Sequence, residues 1–286
     1  MYKTIFNTDI MRSIIIFFFI YSYQMDEYIK NYDKYTAKIV YQFNVGYGGI
    51  GDCIKFFMYV LHLCMKHKYQ LYYQINHIPL ENYIRLRYPQ MYIARENVLH
   101  PRMLNLSAID QLDAQYYIVS PDMLYGCYDI NALTIPIADV FNFSDSVKEN
   151  RNVLLNHSGS YIVIHLRLGD KYLETDPAFV MCKEDARVYH EDRLYRCIED
   201  QNDNTIVFFC DNNSYKQKIK EKYPNVIITH SQIGHTSLSN TTDKQVLDTI
   251  TEFYIMTESD KIYAASTSGF STIAAKWHGT SFVDLV

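Results

Sequence analysis

Two patterns of apolar residues alternate along the chain. Short runs rich in Ile, Val, Tyr and Phe predict strands buried in a sheet: "AKIVYQFN" (37–44), "YQLYYQIN" (69–76), "QYYIVS" (115–120), "YIVIHL" (161–166), "TIVFFC" (205–210), "NVIITH" (225–230), "KIYAAS" (261–266) and "SFVDL" (281–285). Between them, helices are predicted over 53–67, 143–157, 184–201, 213–224, 243–259 and 269–279, with Ser144 placed to cap the second. Strands alternating with helices imply parallel sheets covered on both faces. Residues 79–135 are less regular and carry Pro79, Pro89, Pro101 and Pro121. The fold class expected is α/β, with a leader or short hydrophobic segment over 1–36, one α/β domain over 37–157 and a second over 158–286.

Composition narrows the classes. A chain of 286 residues with 48% hydrophobic and 21% charged residues is of globular type. A net charge of -5, with no Lys/Arg cluster, argues against a general nucleic-acid binder. The 27 tyrosines, in a chain also rich in Ile, Lys and Asn, read first as codon bias and second as carbohydrate-binding aromatics. Six cysteines form no C-x-x-C pair and no zinc spacing, so they read as reduced and structural, which favours a cytoplasmic compartment. Against that stands the apolar run Ile14–Ile20 after Arg12, too short to span a bilayer and followed by no A-x-A-like cleavage site. It leaves a membrane tether or secretory routing through residues 10–23 as the alternative, and a leader outside the fold as the preferred reading. The sequons at Asn105, Asn142, Asn156 and Asn240 carry little weight in an Asn-rich chain.

Three places hold candidate chemistry. At the end of "YIVIHL" the chain turns polar through His165, Arg167, Gly169 and Asp170. Ligands of open α/β sheets bind at the carboxyl ends of strands. A guanidinium, planar and permanently charged, matches a phosphate there. The second place is the loop from Gly46 to Asp52, which fits G-x-G-x-x-G at Gly46, Gly48 and Gly51, with Gly49 between them. The next strand lacks the acidic residue that would hold a ribose, which disfavours NAD. The third is Ser266–Thr272, where a strand passes through a Ser/Thr/Gly-rich loop into a helix and so offers hydroxyls and amides to an anion. Two strand-end anion sites in one parallel-sheet domain suggest a nucleotide-diphosphate ligand.

The hexapeptide from His165 to Asp170 and the C-terminal unit, about a hundred residues apart, together resemble the fucosyltransferases that share an H-x-R-x-G-D-type motif. These include α-1,2-, α-1,6- and protein O-fucosyltransferases, and the early "YGGIGD" resembles the start of the α-1,2 enzymes. The resemblance covers the second domain and the glycine loop. It implies two Rossmann-like domains facing a cleft (the GT-B arrangement), with GDP-fucose as donor substrate, a glycan acceptor, no cofactor and no metal, and inverting transfer. On this resemblance Arg167 binds the diphosphate, His165 and Asp170 shape the site, Glu252 stands where an aspartate binds the nucleoside, and Ser268, Phe270 and Ser271 lie near the phosphates. Gly48, Gly49 and Gly51 would approach the donor, and Asp52 is the candidate general base, or else an N-cap. Leu168 replaces a second arginine of many members, and a tryptophan pair after the serine–phenylalanine loop is absent. The chain has no D-x-D, so positive charge for a leaving diphosphate falls to Arg167. The rival readings are transfer from another nucleotide sugar such as ADP-heptose, which "GIGDCI" also fits, and a non-catalytic nucleotide- or glycan-binding protein.

Overall fold

A computed structural model describes residues 24–44, 46–76, 80–126, 135–156, 159–173, 184–236 and 238–286. The chain forms two compact units, each drawn from separate segments: Met1–Gln42, Phe56–Gln74 and Tyr88–Ile135 in the smaller, Phe43–Lys55, Ile75–Arg87 and Pro136–Val286 in the larger. The strands are β1 (Lys38–Phe43), β2 (Gln70–Ile75), β3 (Ile84–Leu86), β4 (Arg102–Met103), β5 (Tyr116–Val119), β6 (Phe141–Phe143), β7 (Ile162–Leu166), β8 (Ile206–Cys210), β9 (Ile227–Ile228), β10 (Lys261–Ala264) and β11 (Ser281–Asp284). The longer helices are α1 (Ile50–His67), α2 (Asp145–Leu154), α3 (Glu191–Asp200), α4 (Asn213–Lys222), α5 (Asp243–Thr257) and α6 (Gly269–His278).

In the smaller unit the sheet order is β2-β1-β5-β4, with β5 parallel to both β1 and β4. Its core joins aliphatic side chains with buried tyrosines, among them Tyr28, Tyr32, Tyr41, Tyr69 and Tyr73. Phe57 meets Tyr41 and Tyr73 edge-on at 5.7 and 5.0 Å, the T-shaped arrangement that aromatic quadrupoles favour. Buried hydroxyls find carbonyls, Tyr28 donating to Tyr69 at 2.7 Å and Tyr32 to Leu71 at 2.5 Å, as burial of a polar tip requires. The abundant tyrosines are therefore packing residues here. Residues 24–30 are helical, and Met25, Tyr28 and Tyr32 are buried. Residues 24–36, part of the stretch expected as a leader or short hydrophobic segment, thus belong to the described fold; the apolar run Ile14–Ile20 lies outside the described residues.

The larger unit holds a sheet in the order β11-β10-β7-β8-β9, all neighbours parallel. Every residue of β7 and of β8 is buried, because helices cover both faces and neither can be polar. Ile162, Ile164, Leu166 and Leu168 share one face and pack with Leu194 of α3 and Ile219 of α4. Chain order runs outward from β7 to β8 and β9, then returns to the other side through β10 and β11. The order therefore reverses between β7 and β10, the position where ligands bind in open sheets of this kind. β3 and β6 form a separate antiparallel pair.

Element boundaries shift at two places that matter. The helix expected from Glu184 begins only at Glu191, because the backbone before it bonds to the chain that follows β7: Arg187 N–H donates to Leu168 O at 2.7 Å and Lys171 N–H to Asp185 O at 3.1 Å. Helix α1 starts at Ile50, so Gly51 and Asp52 of the glycine loop lie in its first turn. Ser144 does occupy the N-cap of α2, but its hydroxyl pairs with that of Ser146 rather than with the helix backbone.

Candidate functional site

β7 and β10 are tied together at their carboxyl ends by one hydroxyl. Ser266 Oγ accepts from Arg167 N–H and donates to Arg167 O, both at 2.8 Å. That reciprocal pair fixes the backbone from which the Arg167 side chain leaves the sheet. The next turn depends on Gly169, at φ 109, where a Cβ would overlap the carbonyl of Asp185. Only glycine takes that conformation beside a second backbone.

Arg167 is 19% exposed and ringed by carboxylates. Its Nη1 lies 3.0 Å from Asp211 Oδ2, and its Nη2 pairs with Asp170 and lies 4.0 Å from Asp185. Asp211, at the end of β8, also accepts from the backbone N–H of Leu168 at 2.7 Å and Gly169 at 3.0 Å. It holds both the guanidinium and the loop that presents it. Asp211 and Asp185 were missed in the sequence. Asp211 carried a usable signal, an acid directly after the apolar run "IVFFC", the same strand-end change of polarity that marks His165.

His165 is 5% exposed, its ring 5.7 Å from that of Phe270, and its Nδ1 is buried with no hydrogen-bond partner. Burial first, then the charges of Arg167 and Lys216, push its pKa down to about 3, so the imidazole is neutral. Phe270 in turn meets Phe253 edge-on at 5.2 Å, joining His165 to the core. Ser268 is the N-cap of α6 and accepts from Phe270 N–H at 3.3 Å, while its carbonyl accepts from the hydroxyls of Ser271 and Thr272. Ser271 is fully buried. The N-terminus of α6 thus opens beside Arg167 and His165, with the partial positive charge and amides that favour an anion.

The glycine loop belongs to the same unit and meets the same place. A Cβ on Gly51 would sit 2.7 Å from the carbonyl carbon and oxygen of Gly269, so the first turns of α1 and α6 approach backbone to backbone. Gly48, at φ 99, leaves room for the Asp52 carboxylate, and Gly49 faces Thr236. Asp52 pairs with Lys55 at 2.6 Å. Loop 229–236 closes the group and brings His235 Nε2 to 3.9 Å from Asp170 Oδ1.

Glu252, on α5, is engaged in a buried network. Its Oε1 accepts from Lys216 Nζ at 3.0 Å and from the hydroxyls of Thr229 and Ser231. Lys216 is 1% exposed and also reaches Thr229 O and Ser231 Oγ. One turn earlier Asp248 accepts from Gln232 N–H at 2.8 Å and Asn150 Nδ2 at 3.0 Å. Both carboxylates hold loop 229–236 in place. Leu168 points into the core with Leu166 and Leu194. Among the described residues no His/Cys/Asp/Glu group has the geometry of a metal site, no helix is long and apolar enough to cross a membrane, and the cysteines are free and buried.

No family model and no curated protein matches this sequence. Solved structures do match in fold. A point mutant of Arabidopsis thaliana FUT1 in complex with GDP aligns with a TM-score of 0.52 at 12% identity, covering 91% of this chain and 74% of that one. NodZ alpha-1,6-fucosyltransferase co-crystallized with GDP aligns with a TM-score of 0.52 at 11% identity, covering 83% and 91%. POFUT1 in complex with GDP gives 0.50 at 13% identity, covering 87% and 98%. This chain shares the α/β fold of those structures, with parallel sheets in each unit.

Proposed function

We propose that this chain is a glycosyltransferase that takes fucose from GDP-fucose and transfers it to a glycan hydroxyl with inversion and without a metal. The carrying observation is the convergence of Arg167, His165 and the α6 N-terminus at the β7/β10 reversal. The fold likeness to structures holding GDP supports the choice of nucleotide. In this reading the α6 amides and Arg167 take the diphosphate, Ser268, Phe270 and Ser271 form its floor, and the glycine loop at Gly48, Gly49 and Gly51 closes over it. Glu252 faces the nucleoside with Oε2 while Oε1 stays in its network. Arg167 supplies the charge that stabilises the departing diphosphate, a contribution whose loss costs roughly 10²–10³ in rate.

Calorimetry without metal, on the intact protein and on Arg167→Ala, tests this against GDP-fucose, GDP-mannose, ADP-heptose and NAD. GDP-fucose binding that collapses in the variant is the expected result. Binding of ADP-heptose or NAD in place of GDP sugars would overturn the donor.

A further inference from the structure

Arg167 meets three carboxylates with a single charge. A sugar nucleotide brings further negative charge on its diphosphate, and more develops there as the sugar departs. This inference rests on the donor reading above and asks which second cation the site supplies.

The three carboxylates are not equivalent. Asp170 and Asp211 are buried, and Asp211 also accepts from the N–H groups of Leu168 and Gly169. Both belong to the framework of the turn after β7. Asp185 is 21% exposed and lies farther off, 4.0 Å from Arg167 Nη2. Its closer cation is Arg187, whose Nε lies 3.0 Å from Oδ1 and whose Nη2 donates to Oδ2 at 3.3 Å. The Asp185 carboxylate therefore stands between two guanidiniums. Held in a planar fork, it presents the same pair of oxygens that a phosphoryl group would.

The backbone, more than the side chain, places Arg187. Its N–H donates to Leu168 O at 2.7 Å, and Lys171 N–H donates to Asp185 O at 3.1 Å, so segment 185–187 lies beside the turn that presents Arg167. Gly169 permits that approach, since a Cβ there would overlap the Asp185 carbonyl. The Arg187 side chain is 44% exposed. Its guanidinium can swing from Asp185 to a ligand without opening the core. Lys216, by contrast, is sealed against Glu252.

We propose that Arg187 is a second diphosphate-binding residue of the donor site. As the donor binds, two phosphoryl oxygens replace the Asp185 carboxylate in the Arg187 fork, and the phosphoryl group bridges Arg187 and Arg167. Asp185 keeps the N–H of Asp170, which it accepts at 3.3 Å, and so stays with the turn.

Calorimetry with GDP tests this on the wild type, Arg187→Ala, Asp185→Asn and the double variant, each below its melting temperature. Arg187→Ala is expected to weaken GDP roughly 10–100-fold, the worth of hydrogen bonds to a charged group. That loss alone would also arise if Arg187 merely kept Asp185 off Arg167. The double variant separates the two roles. With Asp185 neutralised, removing a direct contact still costs about the same factor, whereas removing an indirect one costs nothing. Unchanged GDP affinity in Arg187→Ala, or a loss that vanishes in the Asp185→Asn background, overturns the assignment and leaves the donor reading standing. A wild-type chain that fails to bind GDP removes the donor reading and this assignment with it.

Discussion

Arg167 carries more negative charge around it than its own charge offsets. Three carboxylates share one guanidinium, so an arriving diphosphate meets repulsion as well as attraction. Asp185 is the partner farthest from Arg167, at 4.0 Å. Asp185→Asn keeps an acceptor for Asp170 N–H and removes one repulsive charge. Titration calorimetry should therefore show GDP binding more tightly to Asp185→Asn than to the wild type. His165 makes a prediction about stability. With its pKa near 3 in the fold and near 6.5 in the unfolded chain, the unfolded chain holds the extra proton between those values. Its contribution is complete above about pH 6.5 and is lost as pH falls, by about 1.4 kcal/mol per pH unit. Denaturant unfolding of His165→Gln should show a correspondingly shallower fall between pH 6 and 4. At this scale His165, Arg167 and Asp170 were legible because polarity changes abruptly at a strand end. Asp185 was not, since it reaches the site from an irregular segment with no periodicity of its own.

Helix α6 and helix α1 set the limits of the site as elements. Placing alanine for glycine in a helix usually gains about 0.5–1 kcal/mol. At Gly51 the added Cβ would meet main-chain atoms of Gly269 at 2.7 Å, and backbone does not rotate away as a side chain does. Overpacking of about 1–3 kcal/mol outweighs the gain. Gly51→Ala should lower the melting temperature, and weaken GDP binding by parting the two helix starts. Alternating strands and helices after residue 160 were readable because continuous apolar runs separated by amphipathic ones have few other solutions. Apart from β5, the stretch 80–126 was not, since it consists of short 3-10 turns and strands as brief as Arg102–Met103. No periodicity develops over two residues; long-range pairing alone defines them. Helix α3 was read too long for a related reason. "EDARVY" has helical spacing, but its backbone bonds to the β7 exit instead of to a helix of its own.

For the whole molecule, the proposed donor site draws on one unit only, and that locates its response. Hydrogen exchange on adding GDP should slow in 46–55, 165–170 and 269–272, while the β2-β1-β5-β4 sheet of the smaller unit exchanges as before. Equal slowing in both sheets would count against a site built as described. Parallel α/β architecture could be inferred from the strand–helix alternation. The discontinuous make-up of the units could not, because nothing in local composition reports which distant segments a loop will join.

That discontinuity reaches back to how the chain is made. The glycine loop leaves the ribosome early, yet Gly269, against which Gly51 packs, is synthesised more than two hundred residues later. At about 5–20 residues per second, the first turn of α1 waits on the order of ten seconds or longer for its partner. During that interval Ile50, Cys53 and Ile54, all buried in the finished fold, have no α6 beside them. Nascent chains stalled before residue 269 should accordingly be cut by protease near residues 43–55, and chains released after β11 should resist.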